Sequence, residues 1–416
     1  MKKPSLCICP ICQTADPETI STLDCGNLDQ SRLYPTARIN QCLCCGHIFN
    51  ELTANELEGL NDYYNYEYAP ANLSATDKTG DRPGSAGSLT TKRYDQLYSA
   101  LSPHVDSRQN ILDVGCALGG FLDYLHDKGF TQLFGIDMAE TYVEQARFKK
   151  QYKIEIGNAE SLPFDDQIFD LIVMEQALEH LFNPVQAFEE ARRILRSGGI
   201  FCIGVPDAAR YADCYFFDFY WLLLREHIQH FDIAHLALLG KQAGFDLLKY
   251  HETIHAIMTE SMVMPNLYAV FRLTDSGNQS NKPDFDNFKL KRLMSIYLQQ
   301  EEARQLIKRQ KIAELIQSQR PVFVWGIGRE FLYLYESAGL KNCSPAGLID
   351  ANPFKQSSYR INGGKIFKAE DLLPGASADS VLVITAVAHT DAIIQSAKAM
   401  GFKGRMMDLR EQAVYE

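Results

Sequence analysis

Up to about residue 90 the chain is dominated by cysteines, tyrosines and polar residues. From residue 91, strand-like segments alternate with helical ones. TKRYDQLYSALSPHV reads as a helix, and NILDVGCALGGFLDYLHDKGF as a strand, a glycine-containing turn and a helix. QLFGIDMAETYVEQARFKKQ repeats strand then helix. KIEIGNAESLPF, FDLIVMEQALEHL, a helix from about Pro184 to Leu195, and RSGGIFCIGVPDA follow. This alternation predicts an α/β fold with a doubly wound, Rossmann-like sheet and a ligand beyond the carboxyl ends of its strands. After the polar loop NQSNKPDFDN, LKRLMSIYLQQEEARQLIKRQKIAELIQSQ has the spacing of a long amphipathic helix. PVFVWGIGREFLYLYESAGL then opens a second, smaller α/β pattern. The expected units are residues 1–90, 91–275, 276–318 (linker and long helix) and 319–416. A chain of 416 residues has room for more than one core.

Composition narrows the class. The hydrophobic fraction is 46% and the charged fraction 22%, the balance of a folded chain. A net charge of −11 disfavours a protein that tracks nucleic-acid phosphates. No apolar run has the length to span a bilayer, and MKKPSLCICPIC lacks the apolar stretch of a leader. A cytoplasmic protein, with neither nucleic acid nor membrane as partner, is expected.

Seven of the eleven cysteines lie at Cys7, Cys9, Cys12, Cys25, Cys42, Cys44 and Cys45. Clustering of this kind reads as metal ligation better than as a disulfide framework. Cys9-Pro10-Ile11-Cys12 and Cys42-Leu43-Cys44-Cys45-Gly46 are two knuckles, each able to present two thiolates. Together Cys9, Cys12, Cys42 and Cys45 fit one tetrahedral, structural Zn²⁺ without an open position. Cys7, Cys25, Cys44 and His47 are spare donors. The following DYYNYEYAP reads as a tyrosine-bearing loop, either packed on a neighbour or closing over a ligand.

In the central unit, Asp113, Gly115, Cys116, Ala117 and Gly119 occupy the first strand-to-helix turn, where glycine lets main chain approach a ligand. Asp137 and Met138 end the second strand, with the carboxylate suited to ribose hydroxyls. Asn158, Ala159 and Glu160 end the third unit, and Glu175 and Gln176 the fourth. Carried by ILDVGCALGG, GIDMAE, GNAESLPF, FDLIVMEQALEHLFNP and ILRSGG, the chain resembles the class I S-adenosylmethionine-dependent methyltransferases over roughly residues 91–270. The resemblance implies S-adenosylmethionine as cofactor. Ala117 departs from the family's usual glycine, at about 1 kcal/mol if its φ is positive. Methyl transfer from a sulfonium needs alignment and one proton acceptor. His180 and the segment REHIQHF, with Glu226, His227 and His230, offer candidates.

In the C-terminal unit, Gly326 and Gly328 form a turn at a helix start beside Arg329, suited to a diphosphate. Asp350 and Asn352 could hold a ribose, and Lys355 adds charge. QCLCCGHIF, YEYAP, REHIQHFDIAHLALLGKQAGF and IDANPFKQ make the whole chain similar to the zinc-containing sugar C-methyltransferases, a three-domain family. That resemblance implies a small-molecule substrate, a nucleotide-linked keto-deoxysugar, and assigns Glu226, His227 and His180 to proton transfer and Tyr66 or Tyr68 to a flap. Leu224 stands where the family has a tyrosine, and the lysine of its C-terminal turn is absent. O- or N-methylation of a small metabolite, and non-catalytic binding of the two ligands, are the alternative readings.

Overall fold

The computed structural model describes residues 7–410 except 26–30, 75–82, 150–151, 215–219, 224, 258, 275–285, 287 and 344. Leu224 and residues 75–82 of the polar loop therefore lie outside the described residues. Among those described, no helix is long and apolar enough to cross a membrane.

Strands β1 (Glu18–Asp24), β2 (Thr36–Gln41) and β3 (Ile48–Glu51) form an antiparallel meander. Thr53 caps the next helix, Ala54–Tyr63, by a reciprocal pair of bonds with Glu56. The tyrosine stretch read above as a loop is helical. Tyr64–Tyr68 forms one wide turn in which the Ala69 N–H reaches back to the Tyr64 oxygen, and Ala69–Ser74 continues it. One extra residue in a turn rotates the side chains that follow, which is how such turns come to serve functional sites.

Strands β4 (Ile111–Val114), β5 (Leu133–Asp137), β6 (Lys153–Ile156), β7 (Phe169–Glu175) and β8 (Leu195–Pro206) are mutually parallel where they pair. The two-residue β9 (Gln229–His230) leaves this sheet and pairs with β3 of the N-terminal meander. The hairpin β10 (Phe245–Ile257) and β11 (Thr259–Leu273) completes the central sheet in the order β10-β11-β8-β7-β4-β5-β6. Because β11 runs antiparallel to β8 and β10, the sheet is mixed, a feature the strand–helix alternation does not reveal. Each face carries its own core. Ala187 and Phe188 of helix Pro184–Ile194, with Leu236 and Leu239 of helix Ile233–Gln242, pack on one. Leu97, Leu122 and Val143, from helices Ser88–Leu101, Gly120–Asp127 and Glu140–Lys149, pack on the other.

The last sheet is parallel, β14-β13-β12-β15-β16, from β12 (Val322–Trp325), β13 (Gly347–Ile349), β14 (Ile366–Phe367), β15 (Val381–Ile384) and β16 (Arg405–Asp408). Helix Lys289–Ser318 lies between the units. Its Leu290, Met294, Tyr297 and Ile312 share one core with Ile39 of β2, Leu222, Leu223 and Val324 of β12. Buried Glu301 accepts from the Tyr220 N–H at 3.0 Å and from Arg304. It ties this helix to the loop that leads to Glu226 and His227. Glu301→Ala should lower stability by about 2–3 kcal/mol, read by denaturant unfolding, since it takes the acceptor from a buried N–H and the ion-pair partner from a half-buried guanidinium.

Candidate functional site

The four cysteines of the knuckles converge. One sulfur from each of Cys9, Cys12, Cys42 and Cys45 lies within 4.8 Å of the others, with Cys12 and Cys42 3.4 Å apart. Gly46, at φ +85°, turns the chain after the second knuckle, and the Cys45 N–H points at the Cys42 sulfur at 3.4 Å. Thiolates packed this closely repel one another unless a cation stands between them, so the donor set fits a zinc ion. The spare donors are engaged elsewhere. His47 is buried with a ring nitrogen 2.8 Å from the Gln229 side chain, and Asn40 reaches the Cys7 sulfur. The module is not a separate bead. The His235 ring meets the Cys45 carbonyl at 3.0 Å, and Cys9, Cys42, Cys45 and Phe49 belong to the core on one face of the central sheet.

A cleft enclosing about 1160 Å³, part of it open to solvent, lies at the carboxyl ends of β4, β5 and β7. Gly115, Ala117, Asp137, Met138, Asn158, Ala159, Glu160 and Gln176 line it. Gly115 sits at φ +81°, and a Cβ there would meet Ala177 at 3.0 Å. Ala117 has φ +46°, the strained conformation its departure from glycine implies. Its N–H donates to one oxygen of Asp137 at 2.8 Å, and the Ala139 N–H donates to the other at 2.9 Å. Each oxygen keeps a lone pair for a ligand hydroxyl, so the residues fit a ribose here and an adenine edge at Asn158. Asp113, Cys116, Gly119 and Glu175 do not line the cleft. Gly119 (φ +74°) starts helix Gly120–Asp127. Cys116 belongs to the core beneath. Asp113 is buried behind the turn, and burial together with the Asp137 charge pushes its carboxyl up to about 7. Glu175 faces Gly204 on the next strand, where a Cβ would come within 1.7 Å of it, and burial pushes its carboxyl up to about 8.

Tyr64 and His180 line the cleft, and Glu226 and His227, which do not line it themselves, adjoin His180. His180 Nδ1 is 2.8 Å from both the Tyr64 hydroxyl and the Glu226 main-chain oxygen. The His227 ring lies 4.8 Å from the His180 ring, and the Tyr63 hydroxyl donates to the Glu226 carboxylate at 2.8 Å. Burial pushes His180 below the ordinary imidazole range. Burial and then His180 push His227 well below it, so both rings are neutral proton acceptors near pH 7. Tyr68 lines the cleft. Tyr66 does not: it is 61% exposed with Arg32 over its ring, and the wide turn brings Tyr64 to the site in its place. Tyr64 carries no sequence signal that separates it from its neighbours, because a helical or a loop reading aims the tyrosines differently.

In the C-terminal unit Gly326 (φ +109°) abuts Ala386, and Gly328 begins helix Arg329–Ser337. Asp350 accepts from the N–H groups of Ile327 and Asn352 and from Lys355 Nζ, at 2.8–3.1 Å. The Asn352 side chain caps helix Pro353–Ser358. Arg329 turns away from this group. It donates to the Tyr220 oxygen and lies over the Trp221 ring. Helix Pro353–Ser358 in turn contacts helix Ala69–Ser74, directly after Tyr68.

Residues 88–250 match the protein family described as a methyltransferase domain. A Mycolicibacterium smegmatis protein described as a probable S-adenosylmethionine-dependent methyltransferase is 29% identical over 181 residues, which are 42% of this chain and 67% of that one. The sarcosine/dimethylglycine N-methyltransferase of Halorhodospira halochloris is 31% identical over 123 residues, 28% of this chain and 44% of its own. Among solved structures, a methyltransferase from Methanosarcina mazei aligns with 42% of this chain and 98% of its own at 18% identity and a TM-score of 0.36. The first of the curated relatives are matched over about a third to two thirds of their length. The central unit is a class I S-adenosylmethionine-dependent methyltransferase domain.

Replacing Ala117 by glycine removes the positive-φ strain and should raise stability by up to about 1 kcal/mol in thermal unfolding, with cofactor binding retained. A carboxyl raised by burial holds its proton more tightly folded than unfolded. Glu175's contribution to the stability of the ligand-free chain should therefore be fully present below the ordinary carboxylate range and lost as pH rises through about 8. Glu175→Gln should flatten that decline in pH-dependent unfolding curves.

Proposed function

We propose that this methyltransferase domain and its flanking units transfer a methyl group from S-adenosylmethionine to the carbon beside a keto group of a nucleotide-linked sugar, through a base-generated enolate. The observation that carries the reading is the cluster of His180, His227, Glu226 and Tyr64, of which His180 and Tyr64 line the cofactor cleft. The sulfonium supplies an electrophilic methyl. The chain's own groups must align the acceptor and take its proton. A neutral His227 beside Glu226 suits that proton, His180 is the second polar group at the acceptor, and Tyr64 and Tyr68 cover it.

Contact between helix Pro353–Ser358 and the tyrosine helix supports an acceptor that reaches from the C-terminal turn to His180. In this reading the main chain at Gly326 and Gly328, with Lys355, takes the diphosphate, and Asp350 and Asn352 the ribose; Arg329, turned onto Tyr220 and Trp221, is not part of that group. Cys9, Cys12, Cys42 and Cys45 hold one structural zinc, which supplies folding energy to the lobe against which Glu226 and His227 rest. In this reading the protein is an intracellular enzyme acting on a small molecule.

Keto-sugar nucleotides incubated with the protein in D₂O should lose their α-proton at a rate that Glu226→Gln and His227→Asn cut by about 10²-fold or more. Methylation of a hydroxyl or amine with no such exchange would reject carbon transfer. Stripping the thiolate-bound zinc, or Cys9→Ser, should lower the melting temperature and abolish exchange together, as followed by calorimetry and NMR.

A further inference from the structure

One cluster in the molecule has more acceptors than its surroundings can satisfy. Glu179 is 1% exposed, and neither carboxylate oxygen meets a hydrogen-bond donor from another described residue. His180 Nε2 stands 3.9 Å from it, too far for a hydrogen bond. The Glu226 carbonyl, which can only accept, lies 2.8 Å from His180 Nδ1. The tautomer that satisfies this carbonyl carries its proton on Nδ1 and leaves Nε2 as an acceptor. His227 is also buried, and its Nδ1 has no partner among the described residues. One ligand atom from each of Glu179, His180 and His227 lies within 4.8 Å of the other two.

We propose that Glu179, His180 and His227 form a metal site for one divalent first-row transition cation, distinct from the four-thiolate site. Buried groups left unsatisfied are costly, and one cation satisfies Glu179 and His227 together while taking the free Nε2 of His180 as a third ligand. Two imidazoles and a carboxylate suit zinc, iron(II) or manganese and leave coordination positions open. Ligand bonds of about 2.0–2.2 Å would draw the three side chains slightly together. The bond from His180 Nδ1 to a main-chain carbonyl is the support that orients a metal-binding histidine. His180 also forms part of the cofactor cleft's wall, so the cation stands beside the acceptor position. There its charge steadies an oxyanion; with its lone pair on the cation His227 no longer takes the acceptor's proton as read above, and proton removal passes to Glu226, whose carboxylate lies outside the triad. The inference goes beyond the acceptor reading above, and counting metal does not depend on that reading.

The test uses the full chain dialysed to equilibrium at low micromolar free Zn²⁺, with bound metal counted by mass spectrometry. The wild type should hold two ions per chain. Glu179→Gln and His227→Asn should each hold one, the second site weakened by about tenfold or more. Unchanged circular dichroism and cofactor binding establish that the variants are folded. Mn²⁺ is a second probe, because thiolates disfavour it, so its bound paramagnetic signal in the wild type reports the triad. A single zinc per wild-type chain with no bound manganese overturns the proposal, and is what a protonated Glu179 would give. A second equivalent that survives both substitutions overturns it too. If a variant fails to fold, the wild-type zinc count and manganese signal decide alone.

Discussion

The position of Glu226 and His227 depends on strand pairing outside the sheet that binds the cofactor. Residues 225–230 are held by the N-terminal meander. The Tyr34 hydroxyl donates to the Arg225 oxygen, the Asn50 N–H to the Ile228 oxygen at 2.8 Å, and the Asn50 side chain to the His227 oxygen at 3.3 Å. Phe49 and Ile48 of β3 then pair with Gln229 and His230. Each of these groups is buried, so no bond can be exchanged for one to water without cost. The second cysteine knuckle is itself the connection between β2 and β3, closed by a bond from the Cys42 N–H to the His47 oxygen at 2.8 Å. The shape of that turn therefore sets the edge against which His227 is placed. The four-cysteine cluster and the segment carrying Glu226 and His227 are thus joined through β3.

Charge is the second constraint on the site. Asp113, Glu175 and Glu179 are sequestered around the cleft, and burial raises all three carboxyls, while His180 and His227 are driven the other way. In an empty cleft the acids are held towards their protonated form and the imidazoles are neutral. An acidic protein thus keeps a nearly uncharged interior at the one place where a cationic ligand must bind. A positive charge nearby favours ionisation of the carboxyls. The same groups that destabilise the empty chain at high pH are those that gain from a cationic partner.

The cofactor half of the site was largely legible in the sequence, because its geometry is local. A strand, a glycine turn and a helix place Gly115 and Ala117 within a few residues of one another, and the acidic residue ending the next strand follows by the same rule. The positive φ of Ala117 could even be anticipated from the glycine it replaces. The acceptor half was not legible in the same way. Tyr64 rather than Tyr66 faces His180 because one helical turn is wider than its neighbours, and nothing in YNYEY announces that turn. Strand β9 is two residues long, too short for any periodicity, and its partner lies some 180 positions earlier. Glu179 reads as an ordinary residue before a histidine until burial is known.

The C-terminal sheet repeats a device of the central one and spends its acid in the same way. Asp137 takes the N–H groups of Ala117 and Ala139, and Asp350 those of Ile327 and Asn352; each carboxylate stitches a glycine turn to the strand beside it. The difference is that Asp350 also holds Lys355, so the lysine's charge is already matched at this turn. An anion arriving there competes with Asp350 for Lys355 and relies first on the main-chain N–H groups at the start of helix Arg329–Ser337. Arg329, over Trp221, points instead towards the loop that helix Lys289–Ser318 pins through Glu301. Lys355 and Arg329 thus serve two different faces of this unit. The arginine is directed towards the loop that continues to Glu226 and His227, and the lysine towards Asp350.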